Sequence, residues 1–337
     1  MQQILVIGPS WVGDMVMAQS LFMDLRQRYP QAAIDVVAPR WSLPLLARMP
    51  QIRQGFGLEA AHGELRLRER YRLGRELRAR RYERAIVLTR SLKSALIPYW
   101  ARIPQRTGYR GEWRFGLLND MRPMPPQLDQ TVKRFVALGL PRGEAWSERP
   151  LSQPSLRVDE ENRRRMMQRL GLNLERPVVG IMPGAEYGPA KQWPPEYFAE
   201  LLRSLAQRRV EAWIFGSQKD YPVAESIVRL SGGWGRNLCG QTRLEDAVDL
   251  ISAVSVAVSN DSGLMHIAAA LQRPLLALYG SSSPAFTPPL DERAVIFYRA
   301  VECSPCFLRK CPYGHYRCLR EITVGDVLSA VNATLAG

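Results

Sequence analysis

Apolar and polar positions alternate in blocks along this chain. Residues 3–8 form a short apolar run closed by Gly8, the pattern of a buried strand. Residues 14–28 follow with Val16, Ser20, Leu21 and Leu25 at helical spacing, and Pro30 stops that helix. Residues 33–38 predict a second strand and 85–89 a third, with a helix over 91–100 behind it. Strands alternating with helices in this way point to a parallel sheet with right-handed crossovers.

The pattern loosens over 120–157, where Pro123, Pro125, Pro126, Pro141, Pro150 and Pro154 gather around one helical stretch at 131–138. A linker is expected around 150–176, carrying a helix over 159–170. The strand–helix alternation then restarts. Strands are predicted at 177–182, 210–216, 254–259 and 274–280. Helices are predicted at 194–208, 262–271 and 323–335, and from a capping box at Thr242–Arg243–Leu244–Glu245 as far as residue 253. Two successive α/β halves result, each opening with a strand, a glycine-containing loop and a helix. The expected division is 1–160, 161–322 and a terminal helix over 323–337.

Composition sharpens this picture in two places. A length of 337 residues suits two domains, and 46% hydrophobic with 23% charged residues is ordinary for a globular chain. The net charge is not ordinary: 46 Lys and Arg face 32 Asp and Glu, a balance of +14 carried mostly by Arg. Arg presents a planar fork suited to phosphate and carboxylate, so an acidic partner is expected: nucleic acid, a phosphorylated glycan or an anionic membrane. No secretion signal or membrane span is read from the sequence. Five cysteines in a chain of this size fit a reduced cytosolic protein better than a disulfide framework.

Three loops could carry chemistry. The first is Gly8–Pro9–Ser10–Trp11–Val12–Gly13–Asp14, which is neither a P-loop nor a dinucleotide fingerprint. Asp14 there could complement the helix N-terminus or take a proton from a substrate hydroxyl, and the residues alone do not choose. The second is Pro183–Gly184–Ala185–Glu186 followed by Lys191–Gln192–Trp193–Pro194, a turn and a cation that favour an anionic group such as a pyrophosphate, or else carry an ordinary surface lysine. The third is Ser259–Asn260–Asp261–Ser262–Gly263–Leu264–Met265–His266, either a second anion or sugar cradle or an ordinary helix cap. No Asp-x-Asp occurs, which argues against a divalent metal bridging nucleotide phosphates.

Two further features stand apart. Cys303, Cys306, Cys311 and Cys318 enclose His315. Their spacing departs from paired CxxC motifs, and the reading favours a compact loop of reduced thiols over a zinc site. Residues 64–84 hold nine Arg against four Glu. They read as a solvated charged helix, or as a surface for an acidic membrane or phosphorylated glycolipid.

Taken together, Gly13–Asp14, the Pro183–Pro194 segment and the run from Asn260 to Ala270 resemble the lipopolysaccharide heptosyltransferases over essentially the whole chain. The resemblance implies a GT-B fold, two Rossmann-like doubly wound α/β domains facing across a cleft, with the C-terminal helix returning to the N-terminal domain. It implies inverting, metal-independent transfer of L-glycero-D-manno-heptose from ADP-heptose to the first heptose of the inner core. That reaction would run at the cytoplasmic face of the inner membrane, without a cofactor. Asp14 would then be the base and Lys191 would stabilise the departing phosphates. Asp261 would contact the donor sugar, while Ser262 and Gly263 would offer N–H groups to the diphosphate with His266 nearby. Gly184 and Ala185 would border the nucleotide, Gly13 would be a substrate-binding residue beside Asp14, and Asp220 would touch ribose or adenine. Expected partners are ADP-heptose, a phosphorylated lipid A-core acceptor and the anionic membrane surface, with no nucleic acid, for a peripheral monomer. Competing readings are another GT-B enzyme such as a nucleotide-sugar epimerase, a basic zinc-containing nucleic-acid-binding protein and a silent glycan-binding scaffold.

Overall fold

The computed structural model describes residues 2–59 and 64–336. The chain divides into two compact units, Met1–Pro154 and Ser155–Gly337. The first contains β1 (Gln3–Ile7), α1 (Val12–Arg28), β2 (Ala33–Pro39), α2 (Leu43–Ala47), β3 (Ile52–Leu58), α3 (Leu67–Leu77), β4 (Arg84–Val87), α4 (Leu92–Trp100), β5 (Gln105–Tyr109), β6 (Asp120–Arg122) and α5 (Thr131–Gly139). The second contains α6 (Glu160–Leu170), β7 (Val178–Met182), α7 (Pro195–Gln207), β8 (Glu211–Ile214), α8 (Tyr221–Leu230), β9 (Arg236–Asn237), α9 (Leu244–Ile251), β10 (Val256–Asn260), α10 (Gly263–Ala270), β11 (Leu275–Tyr279), β12 (Val295–Tyr298), α11 (Arg317–Arg320) and α12 (Val324–Ala336).

Each unit is built on a six-stranded sheet, ordered β3-β2-β1-β4-β5-β6 in the first and β12-β11-β10-β7-β8-β9 in the second. All pairings are parallel. Numbered within its own unit, each sheet has the order 3-2-1-4-5-6, so the two halves share one doubly wound topology. The order reverses between β1 and β4 in one sheet and between β7 and β10 in the other. Ligands in such sheets bind beyond the carboxyl ends of the strands at that reversal.

The central strands are apolar along their length because helices cover both faces. Every residue of β7, β10 and β11 is buried. In the first unit, Leu5, Ile7, Ala85 and Val87 pack with Leu73 and Leu77 of α3 and Ile97 of α4. In the second, Val179, Ile181, Val256 and Val258 pack with Phe198, Leu201 and Leu202 of α7.

Several expectations shift. The unit boundary falls at 154/155 rather than 160/161, because Leu156 N already donates to Ala270 O in the second unit. The capping residue of α9 is Arg243, not Thr242, and Asp246 rather than Glu245 accepts its backbone N–H at 3.0 Å. Helix α12 spends its buried face within the second unit, where Val324, Val327 and Val331 join the core and the helix packs on α7. The return of this helix to the first unit is what the family resemblance implies. Strands β3, β5, β6, β9 and β12 were not read from the pattern at all. β3, β6, β9 and β12 are edge strands, β5 is an interior strand opening on half-buried Gln105 and Arg106, and half-buried or exposed residues interrupt the apolar alternation of all five.

The 64–84 segment is not a wholly solvated helix. Arg70 and Arg84 are buried and bond backbone oxygens. Arg70 Nε donates to Leu65 O at 2.6 Å, and Arg84 donates to Leu138, Gly139 and Leu140 O at 2.7–2.9 Å. Burial, with Arg122 adding like charge, pushes the Arg84 guanidinium down to about 10.

Candidate active site

The predicted residues fall on both units. Gly13 and Asp14 lie in the first turn of α1, just past the carboxyl end of β1 and beside the β1/β4 reversal. Gly13 is buried and Asp14 half-buried. Across that strand end, Arg114 is fully buried and donates to Thr89 O, beyond β4, at 2.7 Å and to Tyr109 O at the end of β5. Arg114 was missed. An arginine in an irregular Arg–Gly–Glu–Trp–Arg–Phe stretch gives no periodic signal that it faces inward.

The remaining eight lie on the second unit, six of them in the loops flanking the β7/β10 reversal. Lys191 Nζ donates to Asp261 Oδ2 at 2.6 Å, with Lys191 18% and Asp261 5% exposed. Two positions assigned separate tasks thus form one ion pair. Ser282 Oγ donates to the same carboxylate oxygen at 2.5 Å. Ser282 follows β11 within a Gly–Ser–Ser–Ser run, a small polar loop behind a strand that the sequence reading passed over. Lys191 Nζ also stands 5.2 Å from the ring centre of Tyr187.

Asn260 fastens the two loops. Its Nδ2 donates to Pro183 O at 2.7 Å, and its Oδ1 accepts from Trp193 N at 3.0 Å. The Trp193 indole, itself buried, donates to Ile322 O at 2.9 Å. Lys191 is therefore carried on a loop whose two ends are tied to the residue preceding Asp261.

Ser262 caps α10, and Gly263 is its first residue. The first N–H groups of a helix have no partner inside it and carry partial positive charge, so this end suits an anionic group. His266 lies inside α10, buried, and its imidazole is pushed down to about 4. Burial is the main cause, Lys191 adds to it and Asp261 opposes it. In this environment the neutral imidazole is the favoured form of His266.

Gly184 and Asp220 meet at close quarters. A Cβ on Gly184 would stand 2.4 Å from Asp220 Oδ1. Asp220 Oδ2 accepts from Ser217 N and Oγ, both at 2.8 Å, which fixes the carboxylate within the loop after β8. Ala185 is buried in that turn.

The comparisons with known proteins bear on this arrangement. Residues 70–317 match the model of glycosyltransferase family 9 (heptosyltransferase). The chain is 46% identical to lipopolysaccharide heptosyltransferase 2 of Salmonella typhimurium, over 99% of both chains. The chain belongs to glycosyltransferase family 9, the heptosyltransferases. It is 46% identical to the Escherichia coli lipopolysaccharide heptosyltransferase 2 as well, over 99% of this chain and 98% of that one. The solved Escherichia coli ADP-heptose lipopolysaccharide heptosyltransferase II superposes with a TM-score of 0.89 at 45% identity, covering 100% of this chain and 99% of the other. A family 9 glycosyltransferase from Veillonella parvula, only 19% identical, shares the fold at a TM-score of 0.85 over 99% and 97% of the chains. This heptosyltransferase is thus an enzyme of the class its loops suggested. Among the described residues no helix is long and apolar enough to cross a membrane.

Proposed function

We propose that this family 9 enzyme transfers L-glycero-D-manno-heptose from ADP-heptose to the first heptose of the lipopolysaccharide inner core, on heptosyl-Kdo2-lipid A, with inversion. The observation that carries the reading is identity of 46% along the whole length of chains named for that second heptose transfer. ADP-heptose stands in the name of the solved relative at 45% identity.

The residues divide the chemistry. Asp14 on the first unit acts as general base and takes the acceptor hydroxyl proton as its oxygen attacks the anomeric carbon. The bond from that carbon to the phosphate oxygen breaks in the same displacement, which inverts the centre and leaves ADP with a new negative charge. Lys191 meets that charge, helped by the N–H groups at Ser262 and Gly263. Asp261 holds Lys191 in place and accepts from a donor-sugar hydroxyl. Gly184 and Ala185 form the turn bordering the nucleotide, and Asp220 Oδ1 reaches toward ribose. His266 serves as a neutral wall behind the pair. With this cationic set, and no Asp-x-Asp to hold a divalent ion, the reaction needs no catalytic metal. The enzyme works as a peripheral monomer on the anionic cytoplasmic face of the inner membrane. Six exposed arginines of the 64–84 segment, at 66, 68, 72, 75, 80 and 81, are available to lipid or acceptor phosphates.

The test is incubation with ADP-heptose and heptosyl-Kdo2-lipid A, without added divalent cation, and detection of product by mass. One added heptose with release of ADP is expected. No product on this pair, with turnover on another nucleotide sugar or acceptor, overturns the substrate assignment.

A further inference from the structure

Between β12 and α11 the chain runs over 299–316 without helix or strand. This loop buries little apolar surface of its own: Phe307, Leu308 and Tyr313 are exposed. Yet it braces the donor loops. Arg309 O accepts from Ala190 N at 3.1 Å, and Phe307 N donates to Ser281 O at 2.7 Å. Ser304 Oγ donates to Gly280 O at 2.8 Å, and the Tyr187 hydroxyl donates to Phe307 O at 2.6 Å. Gly188, at φ +149°, lets the chain pass so close that a Cβ there would lie 2.5 Å from Arg309 O. Something other than a hydrophobic core must hold the brace in shape.

Four of the five cysteines converge here. Cys303, Cys306, Cys311 and Cys318 are free thiols, and all four border one cavity together with His315. Its free volume of about 20 Å³ takes a single water-sized body. Ser281, only 1% exposed, borders the same cavity, and its buried Oγ has no hydrogen-bond partner. His315 is already committed on one side, its Nδ1 accepting from Arg317 N at 3.1 Å.

We propose that this cavity is a metal site in which the four cysteine sulfurs hold one thiophilic ion, zinc or iron. Tetrahedral sulfur sets are the preferred surroundings of both. Among the described residues no three such side chains are already gathered to hold an ion, so binding draws the sulfurs inward from the cavity wall. Each thiol gives its proton to solvent as its sulfur binds, and no electron is transferred. The ion touches neither donor nor acceptor. It fixes the loop that backs Lys191 and Ser282, and the inference stands apart from the identity of the transferred sugar.

The experiment is elemental analysis of the full chain, purified reduced and free of chelator from cells supplied with zinc and iron. One ion per chain is expected, and its identity decides between the two elements. Cys306→Ser and Cys311→Ser should lose the ion, whereas Cys239→Ser, outside the cavity, should keep it. Should a variant fail to fold, wild-type protein stripped with an organomercurial and then reduced must take the ion back, with cobalt giving the spectrum of a tetrahedral thiolate site. Metal-free protein from replete cells that also fails to take up cobalt overturns the proposal. So does metal retained by both cavity variants, or a disulfide between any two of the four in protein never exposed to oxidant.

Discussion

Replacing Lys191 with Met keeps the length of the side chain and removes its charge, which leaves the carboxylate of Asp261, 5% exposed, with the Ser282 hydroxyl. Removing one partner of a buried ion pair costs about 3–5 kcal/mol. Lys191 keeps 18% exposure, so the lower end, about 3 kcal/mol, applies. For a unit of this size each kcal/mol moves the melting temperature by about 2–4 °C, so the second unit should melt about 6–12 °C lower. Asp261→Asn in the same background removes the stranded charge and should return most of that loss. Turnover should behave differently. The charge on the departing ADP is no longer met in either variant, and kcat should fall by about 10²–10³ in both. Calorimetry and single-turnover assays on wild type, Lys191→Met and the double variant separate the two effects. A Lys191→Met protein that melts with wild type, or a double variant that regains turnover along with stability, would refute the argument.

Asp14→Ala should lower kcat by about 10²–10⁴ while ADP affinity, read by calorimetric titration, stays at the wild-type level; near-normal turnover would remove the base assignment. His266 makes stability depend on pH. Its folded value of about 4 lies below the unfolded 6.5, so between those limits the unfolded chain binds the extra proton. About 3 kcal/mol of stability is therefore fully present above pH 6.5 and is lost as pH falls toward 4. Subtracting the denaturation curves of His266→Gln from wild type should isolate that slope, and a flat difference would show that the imidazole is not buried neutral. Arg84→Met should destabilise the first unit by about 3 kcal/mol, because three backbone oxygens at the end of α5 lose their charged donor. An unchanged urea midpoint would mean that Arg122, which also reaches Ala137 and Leu140 O, suffices alone.

The central strands and their helices were legible because parallel strands covered on both faces read as unbroken apolar runs, as in Val178–Met182 and Leu275–Tyr279. The edges were not. In β3, Arg53 and Gln54 are exposed among half-buried neighbours, and β9 has two residues, so neither carries a period long enough to detect. The loops after β1, β7 and β10 could be singled out because glycine and small polar residues stood directly behind apolar runs. What spacing could not reveal was that Lys191 and Asp261, 70 positions apart, touch, or that Asn260 ties both loops. Those contacts follow from β7 lying beside β10, and pairing across a crossover is not written in either segment.

The charge of +14 also takes on a different meaning once its arginines are followed. Only five of the cationic residues are Lys, and the structure shows what Arg does that Lys could not. Arg78 donates to Trp100 O at the end of α4, and Arg84 and Arg122 to the last carbonyls of α5. Arg236 donates to Leu170 O at the end of α6, and Arg203 to Leu230 O at the end of α8. Four helices thus end on guanidinium groups. A helix C-terminus exposes unpaired carbonyls and a partial negative charge, and a fork of five donors satisfies two or three of those oxygens at once where an ammonium gives a point contact. These arginines are partly occupied by the fold's own carbonyls, Arg84 wholly inside it and Arg203 and Arg236 at its surface. On the proposed function, attraction to a membrane or a phosphorylated acceptor would fall mainly to exposed arginines such as those of the 64–84 segment. Surface charge reversal at positions 68, 72 and 75 should weaken binding to anionic vesicles in a salt-dependent way, whereas the same change at Arg236 should act through the stability of α6.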